Sequence, residues 1–150
     1  MNLILWRHAD AEDGIPDTER KLTAKGIKQA KRMAKWLASH IPEDTVIVVS
    51  PAKRALQTAR ALSTDIRILD GVGTSATAES LLAAVDWPNS NENVLVVGHQ
   101  PTLGEIAAFL LTGRKRPCDL RKGALIWVAC REYEGARHIH LRAAISPDLL

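Results

Sequence analysis

The stretch that most constrains this chain is Asn2 to Asp10, NLILWRHAD, where a short apolar run meets Arg7 and His8 with no spacer. An apolar run this short, close to a turn signal, suits a strand buried in a parallel sheet. Ligands of open α/β sheets sit at the carboxyl ends of such strands. Arg7 and His8 are therefore expected on the floor of an active site.

The rest of the chain alternates strand and helix. Ala9 to Arg20 is polar, contains Gly14 and Pro16, and reads as a loop. Thr23 is placed to cap a helix, since its side-chain oxygen can accept a free N–H of the first turn. Ile27, Ala30, Ala34, Leu37 and Ile41 recur at helical spacing, which predicts a helix ending near His40, before Pro42. Thr45 to Val49 is β-branched and predicts a second buried strand. Lys53 to Leu62 predicts a helix with Pro51 near its start.

A short strand over Ile66 to Leu69, a loop over Asp70 to Thr77 and a helix over Ala78 to Val85 follow. After a turn over Pro88 to Asn93, Val94 to Val97 reads as a fourth buried strand, broken by Gly98-His99-Gln100-Pro101. Thr102 to Leu111 then reads as an apolar-faced helix and Gly113 to Lys122 as a basic loop. Ala124 to Cys130 and His138 to Ala144 read as two final strands, joined by a turn around Glu134-Gly135 and paired antiparallel at one edge. The alternation implies βαβ units. The expected fold is α/β, three layers α/β/α, with a mostly parallel central sheet and an antiparallel edge strand. With 150 residues and no repeat, low-complexity tract or linker, one domain over 1–150 is the simplest organisation.

Three polar clusters stand at equivalent strand ends: Arg7-His8, Ser50 with Arg54, and Gly98-His99. Parallel strands bring them to one edge of the sheet, where two arginines and two histidines make a pocket for a phosphoryl dianion. Arginine offers a planar fork of donors matched to phosphate oxygens. Helix N-termini beside Arg54 and His99 add N–H groups. Neutral imidazole is available near pH 7 as a nucleophile towards phosphorus. No glycine-rich nucleotide loop is present, so no cofactor is expected.

Composition removes other classes. Cys118 and Cys130 form no CxxC pair, which argues against a zinc or redox site and for reduced thiols in a cytoplasmic protein. Arg7 interrupts the first apolar run too early for a signal peptide. No apolar stretch approaches the roughly 18–20 residues of a membrane span. Aromatic residues total 4%, too few for base stacking, so nucleic acid is not expected. His138 and His140 share a strand face but lack further ligands, and His40 suits a helix end, so none of the three suggests a metal. Trp6, Trp36 and Trp127 lie in apolar patterns and read as core, while Trp87 fits either core or surface. The basic residues from Arg114 to Lys122 read as a solvated loop or as a docking rim for an acidic protein.

LILWRHA, SPAKRALQTA and VLVVGHQP together resemble the histidine phosphatase superfamily, the phosphoglycerate mutase-like proteins. With the short chain and DTERKLTAKG, the resemblance is to its SixA-type phosphohistidine phosphatase branch. It spans about two-thirds of the chain, and implies a phosphoglycerate mutase-like fold and His8 as a nucleophile that becomes phosphorylated. Arg7, Arg54 and His99 would complete the phosphate pocket, and Asp17 and Arg20 would line its mouth. One departure is Ala9, where the family has glycine; a left-handed backbone there would strain alanine. The general acid is open between Asp10, Asp17, Asp70 and Glu79.

The chain also has little room for the insertions that cover the site in larger relatives, so an open crevice is expected. The implied function is metal-independent hydrolysis of phosphohistidine on a protein such as a histidine-phosphotransfer domain. A monomer is compatible with the sequence, which does not itself set the oligomeric state. The alternatives are a phosphatase of small phosphomonoesters and a non-catalytic phosphoryl-binding module.

Overall fold

The computed structural model describes residues 1–150. In chain order it contains β1 (Asn2–Arg7), α1 (Ala24–Ala38), β2 (Val46–Val49), α2 (Lys53–Arg60) and β3 (Arg67–Ile68). These are followed by α3 (Ala78–Val85), β4 (Val94–Gly98), α4 (Thr102–Thr112), β5 (Leu125–Tyr133) and β6 (Ala136–Ile145). The six strands form one sheet in the order β3-β2-β4-β1-β5-β6. β1 to β4 run parallel, β5 is antiparallel to β1, and β6 is antiparallel to β5. The expected α/β architecture is the one observed. No helix is long and apolar enough to cross a membrane.

Successive side chains of a strand point to opposite faces, and β1 shows what this does for the core. Leu3 and Leu5 pack with Leu81 and Val85 of α3 and Leu103 and Ile106 of α4. Ile4 and Trp6 face the other way, onto Met33 and Leu37 of α1 and Ala55 and Ala59 of α2. All four β1 residues are fully buried, which is why the run is apolar without alternation.

The boundaries differ from expectation where burial stops. β3 keeps only Arg67 and Ile68 of the expected Ile66–Leu69, and Asp70–Val72 forms a 3-10 turn within the expected loop. β5 and β6 run past Cys130 and start before His138, as a two-stranded ribbon with an exposed tip. That tip is set by cross-strand pairing, not by a buried face. Glu132 lies opposite Arg137, and the turn residues Glu134 and Gly135 both have positive φ, as a tight hairpin requires. Trp87 belongs to the core at 4% exposure, whereas Trp36 is only partly buried and stacks on the His40 ring at 4.3 Å.

Thr23 caps α1, its side chain accepting from the Gly26 N–H at 3.0 Å. The helix start is pinned to the loop behind β1. Thr23 N–H donates to the Asp10 carbonyl at 3.0 Å, and a Cβ at Gly26 would overlap that carbonyl oxygen. Glycine to alanine inside a helix normally gains about 0.5–1 kcal/mol. At Gly26 overpacking reverses the sign, and Gly26→Ala is expected to lose about 1–3 kcal/mol in a denaturant titration. An unchanged or raised midpoint would show that α1 does not press on this loop.

Candidate active site

The β1–β4 register puts Arg7 opposite Gly98, so His8 and His99 leave the sheet side by side. Their ring centroids are 5.2 Å apart. β2 pairs Val49 with Val97, which brings Ser50 and the first turn of α2 to the same edge. Arg7, His8, Arg54 and His99, separated by up to 92 positions in sequence, thus meet at the carboxyl ends of three parallel strands.

His8 is 7% exposed and its backbone is held on both sides. Its N–H donates to the Gly98 carbonyl at 3.1 Å, and its carbonyl accepts from the Gly123 N–H at 3.0 Å. The next N–H, of Ala9, donates to Thr58 Oγ1 at 3.0 Å. His8 Nδ1 lies 2.7 Å from the Ala9 carbonyl oxygen, which can only accept. The ring proton is therefore on Nδ1, and Nε2 carries the lone pair.

His99 Nε2 lies 2.8 Å from Ser50 Oγ, which itself accepts from the Ala52 N–H. That contact ties the His99 ring to the end of β2. Burial lowers the pKa of His8 to about 4, helped by Arg54, Arg7 and Arg20 and opposed by the Ala9 carbonyl. Burial likewise lowers His99 to about 3, with His8, Arg54 and Arg7 adding to it and Asp17 opposing. Both rings are neutral at neutral pH.

Arg54, 5% exposed, donates to the Asp17 carbonyl at 2.8 Å and to its carboxylate at 3.1 Å. Arg20 donates to the same carboxylate at 3.0 Å, so Asp17 bridges the two arginines at the edge of the site. Arg7 is anchored by one Nη donating to the Leu120 carbonyl at 2.7 Å. The Nε–H groups of Arg7 and Arg54 are buried and have no partner within the protein. Buried donors are almost always satisfied, and the oxygens of a bound phosphoryl group are suited to both.

Ala9 is fully buried among Leu22 and Ala30, and its φ is not positive. The backbone therefore carries none of the strain that a left-handed alanine would. Three of the four acid candidates are held ionised. Asp10 is lowered by Thr23 and Lys122, and Asp17 by Arg20 and Arg54. Glu79, at the start of α3, is lowered by its own backbone N–H and by Lys115. Asp70 starts the 3-10 turn after β3.

Two functional supports are missed by sequence reasoning though their signal was present. Gln57 and Thr58 follow Arg54 by three and four residues, so they share its helix face. Thr58 holds the Ala9 N–H, and Gln57 Oε1 accepts from Leu22 N–H at 2.7 Å. The Leu120 carbonyl and Gly123 N–H act through the backbone, which no side-chain pattern announces.

Two guanidiniums with unshared donors beside two neutral imidazoles have the chemistry of a site for phosphoryl groups. Residues 3–72 match the Histidine phosphatase superfamily (branch 1). The chain is 31% identical over 133 residues to a phosphohistidine phosphatase SixA homolog of Haemophilus influenzae, covering 78% of this chain and 80% of that one. It is 30% identical over 126 residues to phosphohistidine phosphatase SixA of Escherichia coli, covering 78% of each. A solved structure of the protein histidine phosphatase SixA with tungstate superposes with a TM-score of 0.84 at 26% identity, over 99% of both chains. The chain belongs to the histidine phosphatase superfamily, in its SixA-type branch, and is a phosphatase.

The lowered histidine pKa values carry a stability signature. Unfolded imidazoles bind protons below about pH 6.5, while the folded rings wait until about 4 and 3. The unfolded state therefore binds more protons in this window, and stability falls as pH falls from 6.5 towards 4. Each ring is expected to cost on the order of 2 kcal/mol between pH 7 and 5, before carboxylates titrate. Denaturation midpoints across that range check this; a His8→Asn/His99→Asn double variant should lose most of the slope. A wild-type midpoint flat from pH 7 to 5 would contradict buried neutral rings.

Proposed function

We propose that this protein hydrolyses phosphohistidine on a protein substrate through a covalent phospho-His8 intermediate, without a metal. The observation that carries the reading is the His8 ring, with Nδ1–H on the Ala9 carbonyl and an unprotonated Nε2 beside the arginines. The Nε2 lone pair forms a bond to phosphorus as the bond from phosphorus to the substrate imidazole nitrogen breaks. Water then attacks phospho-His8, inorganic phosphate leaves, and Nε2 regains its lone pair. Splitting one displacement into two eases each step. Arg7 and Arg54 supply the positive charge that stabilises the equatorial oxygens, and His99 completes the pocket beside His8. Asp17 and Arg20 position Arg54 from the mouth of the site.

Two observations favour a phosphorus–nitrogen substrate. Asp10, Asp17 and Glu79 sit in ion pairs that keep them ionised, a poor state for a general acid. An imidazole leaves more readily than an alkoxide and depends less on such an acid. The SixA relatives, named as phosphohistidine phosphatases, point the same way. The free thiols of Cys118 and Cys130 fit a cytoplasmic setting.

The test is phosphate release from a phosphorylated histidine-phosphotransfer domain, run beside para-nitrophenyl phosphate. Release from the domain, absent in His8→Ala, is expected; release from the ester alone would keep the phosphatase and discard the substrate. No release from either would leave a phosphoryl-binding module. Arg54→Ala is expected to lower turnover by about 10²–10³-fold with the fold intact by circular dichroism, as for other lost oxyanion donors. Wild-type turnover in that variant would refute the pocket. Activity is expected to be unchanged in EDTA, and a loss restored by a divalent ion would overturn metal independence.

A further inference from the structure

From the phosphate pocket an open groove of about 900 Å³ runs between α1 and the loop before β5, with Arg7 in its lining. Lys25, Lys28 and Arg32 line one wall and Arg121 and Lys122 the other. Three carboxylates also line it, but Asp10 is paired to Lys122 at 2.9 Å and Asp119 acts on Arg7. Asp148 is the third, and Asp10 is also within coulombic reach of Lys25. Lys25, Lys28, Arg32 and Arg121 take part in no salt bridge.

The cations are held there at a cost. α1, AKGIKQAKRMAKWLA, has no carboxylate, and its first turn carries Lys25 where the helix dipole is positive. Lys28 and Arg32 are four apart, a spacing at which like charges repel on a helix. The walls are also fixed relative to His8. Gln29 Oε1 accepts from the Asp10 N–H at 2.9 Å, and a Cβ at Gly123 would touch Gln29. The groove is thus a rigid, positively charged extension of the site. Ligand pockets for small molecules are lined mainly by hydrophobic and aromatic side chains, yet Leu120 and Pro147 are the only apolar residues among the thirteen that line this groove. Polar, charge-complementary walls are the character of a protein–protein rim.

We infer that this groove docks the acidic surface flanking the phosphohistidine of the substrate protein, bringing its phosphoryl group to Arg7 and His8. The inference rests on the protein-phosphohistidine reading above. It also revises the expected basic rim, because Lys115 is occupied by Glu79 at 3.1 Å and α1 supplies the opposite wall.

The experiment compares wild type with Lys28→Glu/Arg32→Glu, two exposed positions, on a phosphorylated histidine-phosphotransfer domain with an acidic face and on para-nitrophenyl phosphate. On the domain, kcat/KM is expected to fall about tenfold or more, through KM, with Lys28→Gln/Arg32→Gln losing less. The deficit should shrink near 1 M salt, where the Debye length is about 3 Å. On the ester, kcat/KM should not change. Equal rates on the domain for wild type and the reversal variant, or a parallel fall on the ester, would overturn the docking groove alone. A wild type that hydrolyses the ester but not the domain would overturn the functional reading and this inference with it.

Discussion

The position of His8 depends on three backbone hydrogen bonds that come from three distant parts of the chain. Gly98 at the end of β4 takes its N–H, Gly123 before β5 donates to its carbonyl, and Thr58 of α2 holds the next N–H. No helix or strand interior could hold an imidazole at a sheet edge in this way, because the strand has ended. The clamp therefore couples the His8 ring to the β1–β4 register. A slip of one residue would exchange Leu3 and Leu5 with Ile4 and Trp6 between the two cores and turn His8 away from His99. Core packing and site geometry are one constraint. A ring whose backbone and tautomer are set before substrate arrives needs no reorganisation during reaction.

Electrostatics then follows from burial. Two imidazoles sit among guanidiniums with little water, so protonating either ring is disfavoured and both stay neutral. The same surroundings favour an anion, which gains the arginine charge that the rings refuse to share. Asp17 is the one carboxylate in contact with Arg54, and it lies at the exposed edge where it orders the arginine without filling the pocket. Basic side chains continue outward from the pocket along α1, as Lys25, Lys28 and Arg32.

Much of this was legible in the sequence. The buried strands were, since Leu3–Trp6 and Val94–Val97 have no polar interruption, and strand ends of a parallel sheet share an edge. That was enough to bring Arg7, His8, Arg54 and His99 together. Less legible were segments whose structure comes from pairing with little burial, such as the β5–β6 ribbon beyond Cys130. Backbone donors and acceptors were hidden too, so the roles of Leu120 and Gly123 carried no signal. Ala9 stands where its family has glycine, and the fold accommodates the small side chain, buried and with a non-positive φ. The basic loop was visible, but its pairing with α1 across a groove required the third dimension.

In the proposed reaction His8 attacks through Nε2 because its Nδ1 is committed to the Ala9 carbonyl. The most direct measurement is heteronuclear NMR on enzyme quenched without acid during turnover, which assigns a phosphoryl group to one ring nitrogen. Phosphorus bonded to Nε2 of His8 is the expected result. Phosphorus on Nδ1, on His99, or on no histidine at all would contradict it.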